Sequence, residues 1–402
     1  MATIQSVQLQ RHTWSPAKAW RRANQRERVF FDPKSWTRRQ GFGIIDERPR
    51  ANPRILCTLF VQIMGGEMKV FYDPVQKTHV LSHEIIAGKR FRHHERRARI
   101  DIIRRHLRAN GQFEFIVPEA LPMEAVLAVH DEAYVRFLES SQMLSKDEVI
   151  WPYVFPCDRR VPVYEPVTVF TAGYYCFDVG TPIMSDTWQA AIAAASGAYA
   201  AAQHLKKTGE VCYALARPPG HHAAAALFGG YCYLNNAAIA AQYLSQYGKV
   251  LLIDFDYHHG NGTQSIFYDN SDVFYVSLHG NPAIEYPYFT GYSHETGIDD
   301  GAGFTLNCPL EPHCGPEEYF EAFKTSIDTA MKKTDPKFIV CSCGFDVADK
   351  DPLGHFGLLP ENFHSLGQII RSLNKPTMLV QEGGYLVERL GLNVEAFLTA
   401  FL

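Results

Sequence analysis

Lys249-Val-Leu-Leu-Ile-Asp254-Phe-Asp256-Tyr-His258-His259-Gly260-Asn261-Gly262 opens as a strand and closes as a reactive loop. The run 249–256 (KVLLIDFD) is short and apolar, and it ends in polar residues. Three later runs repeat this plan: 272–279 (DVFYVSLH), 337–344 (KFIVCSCG) and 376–383 (PTMLVQEG). A weaker fifth lies at 211–215, and Met68-Lys-Val-Phe-Tyr begins a further strand signal. Helix-like segments fall between them, at 186–206, 234–247, 317–333 and 361–373. The last two follow Pro316 and Pro360, where proline suits a helix start. A final helix is expected to close the chain. Strand and helix signals in alternation predict an α/β fold, with a mostly parallel central sheet and helices on both faces.

Composition narrows the classes of function. With 402 residues, 46% of them hydrophobic and 20% charged, the chain has material for a sizeable core. A net charge of −4 points to no particular partner, because such a reading needs a localised patch. The nine cysteines are scattered, and Cys341 and Cys343 lack the spacing of a redox or zinc pair, so buried reduced thiols are expected. No apolar run is long enough for a membrane span, and residues 1–67 show no secretory pattern, so a cytoplasmic location is expected. Residues 1–67 carry twelve Lys or Arg against five Asp or Glu, three of the five tryptophans, and no sustained period. They are read as a basic N-terminal extension, with one catalytic domain over 68–402. Nucleic-acid binding by this arm is the weaker reading. Gly65-Gly66-Glu67 resembles a translated ribosome-binding site, and natural translation is expected to start at Met68.

In open α/β sheets ligands bind beyond the carboxyl ends of the strands. Four loops there carry the reactive residues: Arg217-Pro-Pro-Gly-His221-His222, 254–262, Gly344-Phe-Asp346 and Glu382-Gly-Gly-Tyr385. Asp256, His258 and Asp346 supply the three protein ligands that a catalytic zinc takes, with a position left open. Alternate side chains of an extended chain share a face, so Asp256 and His258 can reach one ion while Tyr257 points away. Asp254 shares that face, either orienting a neighbour or holding a second cation. His221 and His222 sit on a loop stiffened by two prolines, and histidine suits both the base that activates water and the acid for a leaving amine. Tyr385 can donate to an oxyanion.

The motifs RPPGHH (217–222), GGYCYLNNAAIAA (229–241), DFDYHHGNGTQ (254–264), VSLHG (276–280), GFD (344–346) and EGGY (382–385) resemble the histone deacetylase superfamily. HHGNGTQ, FYDNSDVFYVSLHG and GLNV (391–394) resemble its bacterial acetylpolyamine amidohydrolase branch. The resemblance spans 68–402, with six separated motifs in order. It implies an arginase/deacetylase-like fold. Asp256, His258 and Asp346 would be the zinc ligands, His222 the general base, His221 its electrostatic or acid partner, and Tyr385 the carbonyl-polarising group. Asp254 would orient His221, and Asn261 would orient His222. Potassium is implied beside the zinc, at positions matching Asp254, Asp256, His258, Ser277 and Leu278. Gly230, Tyr231 and Tyr286 would line the substrate tunnel. Binuclear arginase relatives carry an Asp where this chain has Ala348, so one catalytic metal is expected.

The implied reaction is zinc-dependent deacetylation of N-acetylated diamines such as acetylputrescine and acetylcadaverine. The alternative is the same chemistry on acetyl-lysine in peptides, or on another small acylated amine. A relative of this branch has carboxylates where this chain has Val169 and Gly180, so Asp178 is the candidate for holding the cationic end, with Glu165 second. The branch also implies a homodimer, with the aromatic and proline-rich stretch 140–186 as an inserted loop that narrows the tunnel.

Overall fold

The computed structural model describes residues 67–402 apart from 87 and 157–164. The basic extension 1–67 therefore lies outside the described residues except for Glu67. Eight parallel strands form the central sheet. In chain order they are β1 (Met68–Phe71), β4 (Phe113–Ile116), β7 (Cys212–Ala214), β8 (Val250–Asp254), β9 (Val273–Gly280), β10 (Thr305–Leu310), β11 (Phe338–Cys343) and β12 (Thr377–Gln381). Their order across the sheet is β10-β9-β8-β11-β12-β7-β1-β4. Two antiparallel hairpins stand apart: β2 (His83–Ile86) with β3 (Lys89–Arg92), and β5 (Val149–Ile150) with β6 (Ile183–Met184).

The pleat divides each strand between two cores. On β8, Val250 and Leu252 join one apolar cluster while Leu251 and Ile253 join the other. Phe338 and Val340 of β11 divide from Ile339 and Cys341 in the same way. Two-sided burial explains why these strands read as unbroken apolar runs. The first face is covered by α3 (Glu132–Glu139), α4 (Thr187–Thr208) and α5 (Asn236–Ser245). Alanines of α4 and α5 allow close approach, and Asn235 caps α5 by accepting from the Ala238 N–H at 2.9 Å. The second face is covered by α1 (Ala98–Asn110), α7 (Pro316–Thr334), α8 (Pro360–Ser372) and α9 (Val387–Thr399). Gly111 and Gly209 end α1 and α4 in the left-handed conformation that suits glycine. Two short helices, α2 (Met123–Leu127) and α6 (Asn261–Phe267), complete the set. Leu252 is wholly buried, and truncation to alanine there is expected to cost about 2–5 kcal/mol.

The α/β architecture expected from the sequence is the one observed. The five internal strand signals match β7, β8, β9, β11 and β12, and the four helix segments match α4, α5, α7 and α8 to within two residues. No described helix is long and apolar enough to cross a membrane. The described cysteines are free thiols, and all but Cys308 are buried.

Candidate active site

Strand ends β7, β8, β11 and β12 deliver the four predicted loops to one rim of the sheet. Asp256 and Asp346 are fully buried, and with His258 they present three ligand atoms that all lie within 4.8 Å of one another. His258 Nδ1 is 3.3 Å from Asp256 Oδ1 and 3.1 Å from Asp346 Oδ2. Backbone N–H groups fix both carboxylates: Gly383 donates to Asp256 Oδ2 at 2.8 Å, and Tyr257 to Asp346 Oδ1 at 2.9 Å. Glycines make room for this packing. A Cβ at Gly344 would lie 2.2 Å from Asp256 Oδ2, and one at Gly383 would lie 2.3 Å from Asp346 Oδ2. Burial works against the charged form of His258, but Asp256 and Asp346 outweigh it and hold the imidazole up to about 10. The oxygen–nitrogen donor set suits a divalent cation such as zinc. His221, Cys232 and Glu382 also converge within 4.8 Å. That group is a poor metal site, because burial pushes the Cys232 thiol far up and Glu382 already accepts from the N–H groups of Gly220 and His221.

The adjacent histidines have different partners. His221 Nδ1 meets Asp254 Oδ2 at 3.1 Å, and His222 Nδ1 donates to Asn261 Oδ1 at 2.8 Å. An amide oxygen can only accept, so this network assigns the His222 proton to Nδ1 and leaves Nε2 as a free base. Burial lowers the His222 pKa well below its ordinary value, and the positive charges of His221 and His258 push the same way. Burial also opposes a charged His221, yet Asp256 and Asp254 raise it to about 10. The two rings, with centres 4.1 Å apart, are thus pushed in opposite directions. The Tyr385 hydroxyl is raised well above its usual range by burial, so it remains a donor. Asp351 secures its loop by accepting from the N–H groups of Tyr385 and Leu386, at 2.7 and 2.8 Å.

Three of these groups, His222, His258 and Tyr385, open onto a cavity of about 460 Å³. Its lining includes His222, His258 and Tyr385 together with the predicted Gly230, Tyr231, Tyr286 and Asp178. Gly230, at φ +57°, faces the His222 ring so closely that a Cβ would come within 2.2 Å of it. Asp178 is already engaged: Oδ2 accepts from the Gly230 N–H at 2.7 Å and from the Tyr286 hydroxyl at 2.8 Å. Ser277 and Leu278 lie on β9 outside this cavity, with Ser277 in register beside Asp254 of β8. Glu165 and Val169 are exposed and do not line the cavity, whereas Gly180 does.

Sequence reasoning missed the β2–β3 hairpin, which brings Glu84, Ile85 and Ile86 to the cavity wall. Glu84 Oε2 accepts from the Tyr231 hydroxyl at 2.5 Å, and Oε1 contacts His94. Burial favours a neutral Glu84, but these hydrogen bonds from His94 and Tyr231 overcome it and lower the pKa. No local motif marks Glu84. The signal that was available is a carboxylate beside two isoleucines, which is weak.

A doubly covered parallel sheet with buried carboxylates, histidines and a tyrosine at its carboxyl edge is an α/β enzyme architecture whose rim fits metal-assisted hydrolysis. Residues 93–401 match the model of the histone deacetylase domain, and the chain belongs to that family. It is accordingly a deacetylase, and the family implies a catalytic metal. The chain is 38% identical over 341 residues to acetylpolyamine amidohydrolase 2 of Pseudomonas aeruginosa, covering 83% of this chain and 98% of that one. It is 36% identical to the acetylpolyamine amidohydrolase of Mycoplana ramosa over 81% and 97% of the two chains. The crystal structure of an acetylpolyamine aminohydrolase from Burkholderia pseudomallei superposes with a TM-score of 0.78 at 34% identity, over 83% of this chain and 98% of that one.

Proposed function

We propose that residues 68–402 form a zinc-dependent amidohydrolase that deacetylates small N-acetylated diamines such as acetylputrescine and acetylcadaverine. The observation that carries this reading is the cavity itself. Two carboxylates, Glu84 and Asp178, line it together with His222, His258 and Tyr385. A linear acylated amine can place its amide at the latter three and its cationic end near the carboxylates. The similarity to acetylpolyamine amidohydrolases over nearly their full length supports the same substrate class.

Asp256, His258 and Asp346 would hold the zinc, which when bound supplies a Lewis acid towards the amide carbonyl and makes water more acidic. His222, neutral and bearing a free Nε2, takes the proton from the attacking water. Tyr385 donates its hydroxyl to the oxygen that gains negative charge. His221 is held cationic by Asp254, stabilises that charge and can protonate the leaving amine. A potassium ion at Asp254, Asp256, His258, Ser277 and Leu278 belongs to this reading, supported by the fully buried Asp254 beside Ser277. So do a homodimer, supported by the exposed Tyr153, Val154 and Phe170 within 140–186, and a cytoplasmic location.

The deciding experiment compares N-acetylputrescine, N-acetylcadaverine and an acetyl-lysine peptide on the zinc-loaded protein, with Tyr385→Phe as control. Faster turnover of the diamines, slowed about 100-fold or more in the variant, is expected. Preference for the peptide would move the protein to the lysine-deacetylase reading, and no turnover of any of them would refute both.

A further inference from the structure

Glu95 belongs to no catalytic motif, yet one of its oxygens joins two arginines. Oε1 accepts from Arg217 Nε at 2.8 Å and from Arg99 Nη1 at 2.9 Å. All three side chains are buried. Arg217 opens the loop that carries His221 and His222. Its other guanidinium donors hold the carbonyls of Gln76 at 2.8 Å and His79 at 2.7 Å, and its backbone N–H donates to Gln76 Oε1 at 2.8 Å. Arg99 reaches the opposite side of the site. It donates through Nε to the Gly384 carbonyl at 2.7 Å and through Nη2 to the Glu382 carbonyl at 2.5 Å. Its guanidinium carbon lies 4.8 Å from the centre of the Tyr385 ring.

Two guanidinium groups cannot share one dry site without an anion between them, because like charges at this range repel strongly where water is excluded. Burial alone would favour a neutral Glu95, but Arg217 and Arg99 hold its carboxyl down at about 2. The anion ties the histidine loop, through Arg217, to the tyrosine turn, through Arg99. Either arginine could hold its own loop without Glu95, and Glu382 Oε2 joins the two loops directly at the Gly220 and His221 N–H groups, so Glu95 supplies the second bridge, on the arginine side.

We propose that Glu95 is a positioning residue that sets the spacing between the base loop at His221-His222 and the oxyanion donor Tyr385. This rests on the reading of His222 and Tyr385 given above. Glu95 touches neither the cavity nor the metal ligands. Its effect is on kcat, through geometry that matters when charge develops on the carbonyl oxygen.

The test is a double-mutant cycle of Glu95→Gln with Tyr385→Phe, in zinc-loaded protein assayed with N-acetylputrescine well below the melting temperature. Glu95→Gln keeps the shape and removes the charge. It is expected to lower kcat about 100-fold with KM within about threefold, and to lower it only about fivefold or less when Tyr385 is already Phe. Equal fold losses in the two backgrounds, or an unchanged kcat, overturn the inference, since a merely structural role is additive. If Glu95→Gln does not fold, Glu95→Asp goes through the same cycle with the same criterion. Tyr385→Phe at full activity would remove the proposed function and this inference together, whereas a strongly slowed but measurable Tyr385→Phe with additive Glu95 effects removes only this inference.

Discussion

Adding one methyl group at Gly383 should empty the metal centre without unfolding the protein. A Cβ there would lie 2.3 Å from Asp346 Oδ2 and 2.5 Å from Asp256 Oδ2, where ordinary contact begins at 3.4 Å. Each oxygen must therefore retreat by roughly 1 Å, while metal–ligand distances tolerate only about 0.2 Å. Asp256 cannot simply swing away, since its Oδ2 accepts from the Gly383 N–H itself at 2.8 Å. Gly383→Ala is thus expected to lower zinc affinity by about 100-fold or more, beyond what loss of an outer partner usually costs. The assay is competition against a chromophoric chelator, with metal content and thermal melting recorded on the same samples. Gly357→Ala is the control, because its Cβ would meet nothing closer than 3.9 Å and should leave affinity unchanged. Wild-type zinc affinity in Gly383→Ala would refute the assignment of Asp256 and Asp346 as ligands.

Four further outcomes follow from the same geometry. Asn261→Asp puts a carboxylate where Asn261 Oδ1 now meets His222 at 2.8 Å, which favours the imidazolium. The acid limb of kcat/KM should move to higher pH by about one unit or more, and an unmoved limb would count against His222 as base. Glu84→Gln and Asp178→Asn should each raise KM for acetylated diamines by about tenfold, or ~1.4 kcal/mol, and much less for a neutral acetamide; equal effects would sink the cation-binding reading. Glu95, with its pKa lowered from 4.5 to about 2, contributes stability that is present above pH 4.5 and lost as the pH falls through 2. Urea unfolding of wild type and Glu95→Gln should therefore converge as the pH is lowered, and a constant gap would contradict the ion network. Chelation should abolish turnover and lower the melting temperature, and zinc at 100 times its Kd should restore about 2.7 kcal/mol, read from the melting shift.

Legibility in the sequence followed locality. Asp254, Asp256 and His258 share one strand end, His221 and His222 one rigid loop, and Tyr385 one Gly-Gly turn, so short windows display each set. The central strands were equally plain, because burial on both faces makes their apolar runs continuous. Edge strand β10 was not, since Thr305–Leu310 alternates buried and half-buried residues and includes Pro309, which an edge tolerates. Hairpin strand β3 has four exposed residues and no apolar period at all. Glu84 meets Tyr231 across 147 positions, and Glu95 meets Arg217 across 122. A short window shows Glu95 with Arg99 alone, and Glu84 at most with His94, so the contacts that join either carboxylate to the site appear only once the chain has folded.

The same division separates chemistry from selection. The groups proposed to touch the reacting amide stand on ends of the parallel sheet, where neighbouring strands fix them to within the tolerance that catalysis demands. Much of the rest of the cavity wall comes from irregular additions: Glu84, Ile85 and Ile86 from the hairpin, Asp178, Val179 and Gly180 from the 140–186 stretch, and Tyr286 and Tyr288 from the loop after β9. Loops of this kind tolerate change far better than sheet strands do. Substitutions on these walls should therefore alter which amine is accepted while leaving the reaction intact. The exceptions are residues such as Asp178, whose carboxylate also orients the Gly230 N–H beside His222. At such positions a change of substrate preference and a loss of kcat should appear together.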